Sequence, residues 1–250
     1  MLPPVDRRIA IELAPAREIA IDGAIVARDG KPTFTPPTFD YSQALDTVHI
    51  GPLDASKLVI PALGRRARVI GVVPHQIVTR HLVEEPTIVD GRVVSDPERD
   101  ILKMAVVERH RATGDVGVGL VKGFGLKSEA LASSLAHDAH NIGVVGASDA
   151  DMLAAVHAVV EQRGGLAVVR DGEVLARLPL PIGGLMSDQP FEEVAARLEA
   201  VEAAAESIGC TVWRPFMVLS FLALSVIPAL KLTDRGLVDV EAWELVPVGV

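Results

Sequence analysis

The chain has 250 residues, 49% of them hydrophobic, and a mean hydropathy of +0.34, enough apolar material for a sizeable core in one large or two small domains. Its net charge of −9 without a Lys/Arg tract argues against a phosphate-binding surface and so against nucleic acid. The single cysteine, Cys210, excludes an internal disulfide and fits a reducing cytoplasm. The opening residues, MLPPVDRR, lack the apolar centre of a signal peptide. In chain order, Asp22-Gly23 between short apolar runs predicts a hairpin over 19–27, because Asp-Gly tolerates the positive φ of a type I′ turn. Pro32, Pro36 and Pro37, mixed with Thr33, Thr35 and Thr38, cannot hold a sheet ladder. They predict a linker that divides a small β piece (1–40, linker included) from a domain over 41–250.

Residues 67–73 and 101–107 are apolar and β-branched enough to be strands, and Asp90-Gly91 predicts a hairpin over 87–94. The segment 130–146 is ambiguous between helix and strand, although 142–146 reads as a buried strand. Ser148 and Asp151 have capping-box spacing ahead of a helix over 151–162, with Met152, Ala155, Val156 and Val159 at helical intervals and Gly164 at its end. Asp171-Gly172 predicts a third hairpin over 166–178. A second helix starts at Pro190 with Phe191, Val194, Leu198, Val201 and Ala205 as its buried stripe, and Gly209 ends it. The apolar run 216–230 contains Ser220, Ser225 and Pro228 and is too short for a bilayer, so it reads as a buried element. Hairpins mixed with two amphipathic helices predict an α+β fold, a mixed and largely antiparallel sheet with flanking helices.

The chemistry concentrates in His137-Asp138-Ala139-His140-Asn141. On a helix, His137 and His140 share a face and can chelate one metal ion; on a strand they point to opposite faces and cannot. The plainer reading is a hydrogen-bonded loop after a strand, and no third ligand is evident downstream. Glu108, Arg109 and His110 follow a buried strand, where functional groups often sit, yet an Arg–Glu surface pair explains them equally well. Gly123-Phe124-Gly125 lets backbone approach a ligand but lacks dinucleotide or phosphate-loop spacing, so a turn is the simpler reading. His75 follows Pro74 at a strand end, while His49, His81 and His157 look incidental. Cys210 follows a helix-ending glycine among apolar residues and has little support as a nucleophile.

Taken in order, Asp96-Pro97-Glu98-Arg99-Asp100, Val107-Glu108-Arg109-His110, Gly123-Phe124-Gly125-Leu126, His137-Asp138-Ala139-His140-Asn141, Pro181-Ile182-Gly183-Gly184-Leu185-Met186 and Leu232-Thr233-Asp234-Arg235-Gly236 resemble the C-terminal part of bacterial adenine deaminases, of the amidohydrolase superfamily. The resemblance covers roughly 19–240. It implies hydrolysis of adenine to hypoxanthine and ammonia, with manganese or iron held mainly by a (β/α)8 barrel of about 250 residues that precedes this region. The chain has no His-x-His near its start, and its first β piece resembles the last strands of the sandwich flanking such a barrel. The family usually has Ser in place of Ala139 and Gly in place of His75 and Glu129. By resemblance, His137, Asp138, His140, Glu108 and His110 are the candidate catalytic residues, and Asn141, Arg109, Gly123 and Gly125 the candidate purine contacts. The expected partners are a separate barrel-bearing amidohydrolase subunit or further copies of the chain, because the barrel-facing surface should be apolar. The competing readings are a purine-binding or scaffold module without catalysis, and a metallohydrolase that uses the His-Asp-x-His cluster unaided.

Overall fold

In the computed structural model, residues 17–35, 37–62 and 64–250 are described, so most of the sequence before the first hairpin and Pro36 of the linker lie outside the described residues. The chain divides into two compact units, Met1–Asp40 and Tyr41–Val250. In the first, β1 (Glu18–Ile21), β2 (Ala24–Arg28) and β3 (Lys31–Pro32) form an antiparallel sheet in that order. Asp22 and Gly23 have φ of 50° and 79°, as the hairpin turn requires. Asp29-Gly30 does the same at 49° and 75° and adds the third strand, which was not anticipated.

The second unit is built on an eight-stranded sheet. Its strands are β5 (Ala67–Val72), β6 (Thr79–Glu84), β9 (Ile101–Val107), β10 (Val116–Lys122), β11 (Ala130–Ser133), β12 (Ile142–Gly146), β13 (Gly165–Arg170) and β14 (Glu173–Pro179), in the order β14-β13-β11-β12-β9-β10-β5-β6. Every pairing is antiparallel except β10 with β5. The fold is α+β. The segment 130–146 resolves into two antiparallel strands, Ala130 opposite Gly146, and the loop between them carries the histidines. Alternation on the central strand feeds two cores. Leu102, Met104 and Val106 point to one face, Ala105 and Val107 to the other.

Three helices cover this sheet. α1 (Asp149–Glu161) is capped by Ser148, whose hydroxyl accepts from the Asp151 N–H, and it packs Met152, Ala155, Val156 and Val159 on one face. α2 (Phe191–Ser207) and α3 (Pro215–Leu222) cover the other. The expected α2 stripe is only partly realised. Val201 and Ala205 are buried, whereas Phe191 is 81% exposed, because the core contacts of this helix lie along Val194, Val201, Ala204 and Ala205. The apolar run becomes α3 and a loop, with Phe216, Leu219, Leu222 and Leu230 in the core. No helix among the described residues is long and apolar enough to cross a membrane.

Two small sheets complete the unit. The hairpin β7 (Thr87–Val89) and β8 (Arg92–Val94) pairs with β4 (Ile60–Pro61), and β15 (Leu230–Thr233), β16 (Gly236–Asp239) and β17 (Glu244–Val246) form the other. Beyond β17 the chain returns to the start of β5. Arg68 N–H donates to Val248 O at 2.7 Å, Val250 N–H to Arg66 O at 2.9 Å, and Arg68 Nη1 to Gly249 O at 2.6 Å.

Candidate functional site

Register brings the two polar clusters together. Ile142 lies opposite Val107, so the loop preceding β12 and the segment leaving β9 emerge side by side. Arg109, 1% exposed, ties this end of the sheet together. Its Nε donates to His140 O, Nη1 to Thr47 O at 3.1 Å and Nη2 to Gly183 O at 3.1 Å. A Cβ on Gly184 would lie 2.7 Å from Nη1, so only glycine leaves room for the guanidinium. Burial lowers its pKa below the ordinary arginine value, against a weaker opposing pull from Glu108.

Glu108 closes the loop after β9. Its carboxylate accepts from the N–H groups of Arg111 at 2.8 Å and Thr113 at 3.1 Å, from His110 N–H, and from the Thr113 hydroxyl at 3.2 Å. Burial raises its pKa, but the N–H donors of Thr113, His110 and Arg111 outweigh that and hold it below the ordinary value. His110 is exposed, with Nε2 2.7 Å from Ala139 O.

In the histidine loop, His137 rests its ring on Phe221 at 4.9 Å and meets His140 edge-on at 5.7 Å. His140 has φ of 51°, and its buried Nδ1 has no hydrogen-bond partner among the described residues. Its pKa is lowered, first by burial and then by the electrostatic influence of the neighbouring His137 and Arg109. Asn141, 4% exposed, accepts the Arg109 N–H on Oδ1 at 3.3 Å.

Asp138 and Asn141 line a cavity of about 330 Å³, floored by Val106 and closed by Ser225, Thr233 and Asp234. The last two stand at the tip of the β15–β16 hairpin, which lies against β10. A Cβ on Gly117 would come within 1.9 Å of Thr233 O, so the strand needs glycine where the hairpin crosses it. In the sequence, Leu232-Thr233-Asp234-Arg235-Gly236 stands out only as a point of resemblance, and no local pattern marks Ser225, Thr233 or Asp234 as site residues.

Gly123 and Gly125 are not brought to this cavity. Val116 pairs with Val107 and Lys122 with Ile101, so β10 carries the chain to the other end of β9, about 20 Å away at 3.3 Å per residue. There Gly123 packs on Val72, and Gly125 donates its N–H to Asp100 Oδ1 at 2.7 Å. No three His, Cys, Asp or Glu side chains among the described residues are grouped to hold a metal ion. The histidine pair sits in a loop, with its two rings edge-on at 5.7 Å, rather than on a helix face. These residues alone do not fit a manganese or iron site. Cys210 is buried, and burial pushes its pKa up to about 11, the opposite of an activated thiol.

With this architecture in view, the comparisons define the class. The family described as adenine deaminase C-terminal domain matches residues 76–244, and the chain belongs to that family. It is similar to adenine deaminase 2 of Carboxydothermus hydrogenoformans, 50% identical over 230 residues, which are 92% of this chain and 40% of that protein. The adenine deaminase of Methanothrix thermoacetophila is 48% identical over 234 residues, 93% of this chain and 41% of the relative. That of Oleidesulfovibrio alaskensis is 50% identical over 203 residues, 81% and 36%. The chain thus spans about two fifths of the length of these curated relatives.

Proposed function

We propose that this chain supplies the C-terminal part of an adenine deaminase, which hydrolyses adenine to hypoxanthine and ammonia. The observation that carries the reading is the cavity lined by Asp138, Asn141, Thr233 and Asp234, built from the segments that resemble the family. Its polar groups suit a purine edge. The two carboxylates accept hydrogen bonds from an exocyclic amine or a protonated ring nitrogen, and the Asn141 amide donates to an unprotonated one. His137, His140 and His110 ring the loop that presents Asp138, while Arg109 and Glu108 fix that loop and its neighbour. In this reading the manganese or iron and the attacking water belong to a barrel that docks on this end of the sheet, on a separate subunit. Further copies of the chain in the assembly and a cytoplasmic location complete it.

The test is ammonia release from adenine by a barrel-bearing amidohydrolase polypeptide that lacks its own C-terminal domain, with and without this chain. Turnover that requires the chain and falls at least tenfold with Asp234→Asn supports the reading. Saturable adenine binding to the isolated chain without any gain in turnover points instead to a purine-binding module, which the absence of a metal-grouped cluster among the described residues favours.

A further inference from the structure

A second cavity, of about 300 Å³, opens at the other end of β9, between the loop that joins β5 to β6, Gly123 and helix α3. Its size lies at the lower edge of the range of small-molecule sites. None of its lining residues is acidic, although the chain carries a net charge of −9. Trp213 forms one wall and is 61% exposed. Its ring meets that of His75 at 5.6 Å, and the Arg214 guanidinium lies 4.8 Å over it. The side chains of His75, Gln76, Thr211 and Arg214 make no hydrogen bond among the described residues, so a guanidinium edge, an amide, a hydroxyl and an imidazole are all uncommitted.

A further positive charge stands behind the wall. Lys231, 0% exposed, donates Nζ to the carbonyls of Ile77 at 2.9 Å and Phe221 at 3.0 Å, and both residues line the cavity. An acid-free concavity with one cation at its mouth and another in its wall holds a positive potential. An exposed indole offers aromatic surface to a planar ligand, and a guanidinium beside it offers parallel donors to a carboxylate or phosphate.

We propose that this cavity binds a planar heteroaromatic anion, its ring against the exposed Trp213 and its phosphate or carboxylate group on the Arg214 guanidinium. Gln76 and Thr211 then supply hydrogen bonds to the heteroatoms of the ring. The assignment rests on this cavity alone and stands whether or not the chain takes part in adenine deamination. A purely apolar protein contact over Trp213 and Met217 is disfavoured, because it would bury the uncommitted guanidinium without a partner.

The reporter is Trp213 itself. The chain has two tryptophans, and Trp243→Phe, at a 76% exposed position outside the cavity, leaves Trp213 as the sole source of indole fluorescence. That variant is titrated with AMP and with orotate as the phosphate and carboxylate probes, and with adenosine and inorganic phosphate as controls. Saturable quenching by AMP or orotate, at least tenfold tighter than by either control, is the expected result. Whichever probe binds identifies the anionic group. Arg214→Gln should weaken that binding about tenfold and Arg214→Lys less, each with an unchanged far-ultraviolet spectrum. Should Arg214→Gln not fold, the Arg214→Lys comparison alone decides. No saturable response to either anion up to several millimolar overturns the proposal. So does equal binding of adenosine, equal binding of phosphate alone, or indifference of the affinity to Arg214.

Discussion

Among the buried cations of the described residues, Arg109 and Lys231 solve the same problem differently. Arg109 spreads its charge over the carbonyls of His140, Thr47 and Gly183, whereas Lys231 has, among the described residues, two carbonyls and no carboxylate. Burial therefore pushes the Lys231 pKa down from 10.5 to about 8. In the unfolded chain the same amine titrates near its ordinary value, so between about pH 8 and 10.5 the unfolded state binds more protons. Stability then rises with pH across that window, and the cost of the buried charge is fully present below it. Urea unfolding at a series of pH values from 7 to 10.5 should show this rise as the difference between the native chain and Lys231→Met, in which it is absent. Parallel curves for the two proteins would remove the assignment. The same scale limits what sequence reading can see. Glu108 and Arg109 were visible as a polar pair after a strand. Their engagement with their own loop and with distant carbonyls depends on burial and on Gly184, 75 positions downstream of Arg109, which no local pattern encodes.

The elements were the most legible level. Each of the three noted Asp-Gly pairs marks a hairpin with both residues at positive φ, because the turn is decided by the two residues themselves. The capping serine of α1 was legible for the same reason. The 130–146 segment was not, since short apolar strands and helices share a pattern and only pairing with β9, β12 and β13 decides between them. A signal for the missed hairpin was nevertheless present. Gly117 and Gly119 alternate inside an otherwise apolar strand, the mark of a second chain segment lying across it. Helix α1 is also held by an ion pair from outside its own sequence. Lys103 on β9, 3% exposed, donates Nζ to Asp149 Oδ1 at 2.8 Å and Oδ2 at 2.9 Å and to Leu58 O at 3.0 Å. Asp149→Asn leaves that ammonium with neutral acceptors only, the amide oxygen and Leu58 O. Because the Asp149 side chain is 35% exposed, the expected loss is roughly 2 kcal/mol, below that of a fully enclosed pair. Chemical denaturation of Asp149→Asn, Lys103→Met and the double variant checks it, with the double variant predicted to be less destabilised than the sum of the singles.

At the scale of the whole molecule, the chain is a module that represents two fifths of its relatives' length. In the N-terminal sheet Ile19, Ile21 and Ile25 are between 40% and 59% exposed among the described residues, and exposed apolar side chains favour association. Partner association or self-association is therefore expected. Light scattering over a range of concentrations should give a mass above the 26.5 kDa of one chain. A strictly monomeric mass at all concentrations would count against that expectation. What the sequence could not disclose at this scale is adjacency. The cavity joins Asp138 to Asp234 across almost a hundred positions, and only the packed sheet brings them together.

The return of the chain to β5 has a temporal consequence. Arg68 and Pro247 are hydrogen-bonded across 179 positions of sequence, and the main-chain donor of Arg68 finds its acceptor in Val248. A ribosome making this polypeptide exposes the nascent β5 long before its final clasp has been synthesised. The stitch cannot close until those intervening residues have been made, and until then that strand end offers a sticky template to neighbouring nascent chains.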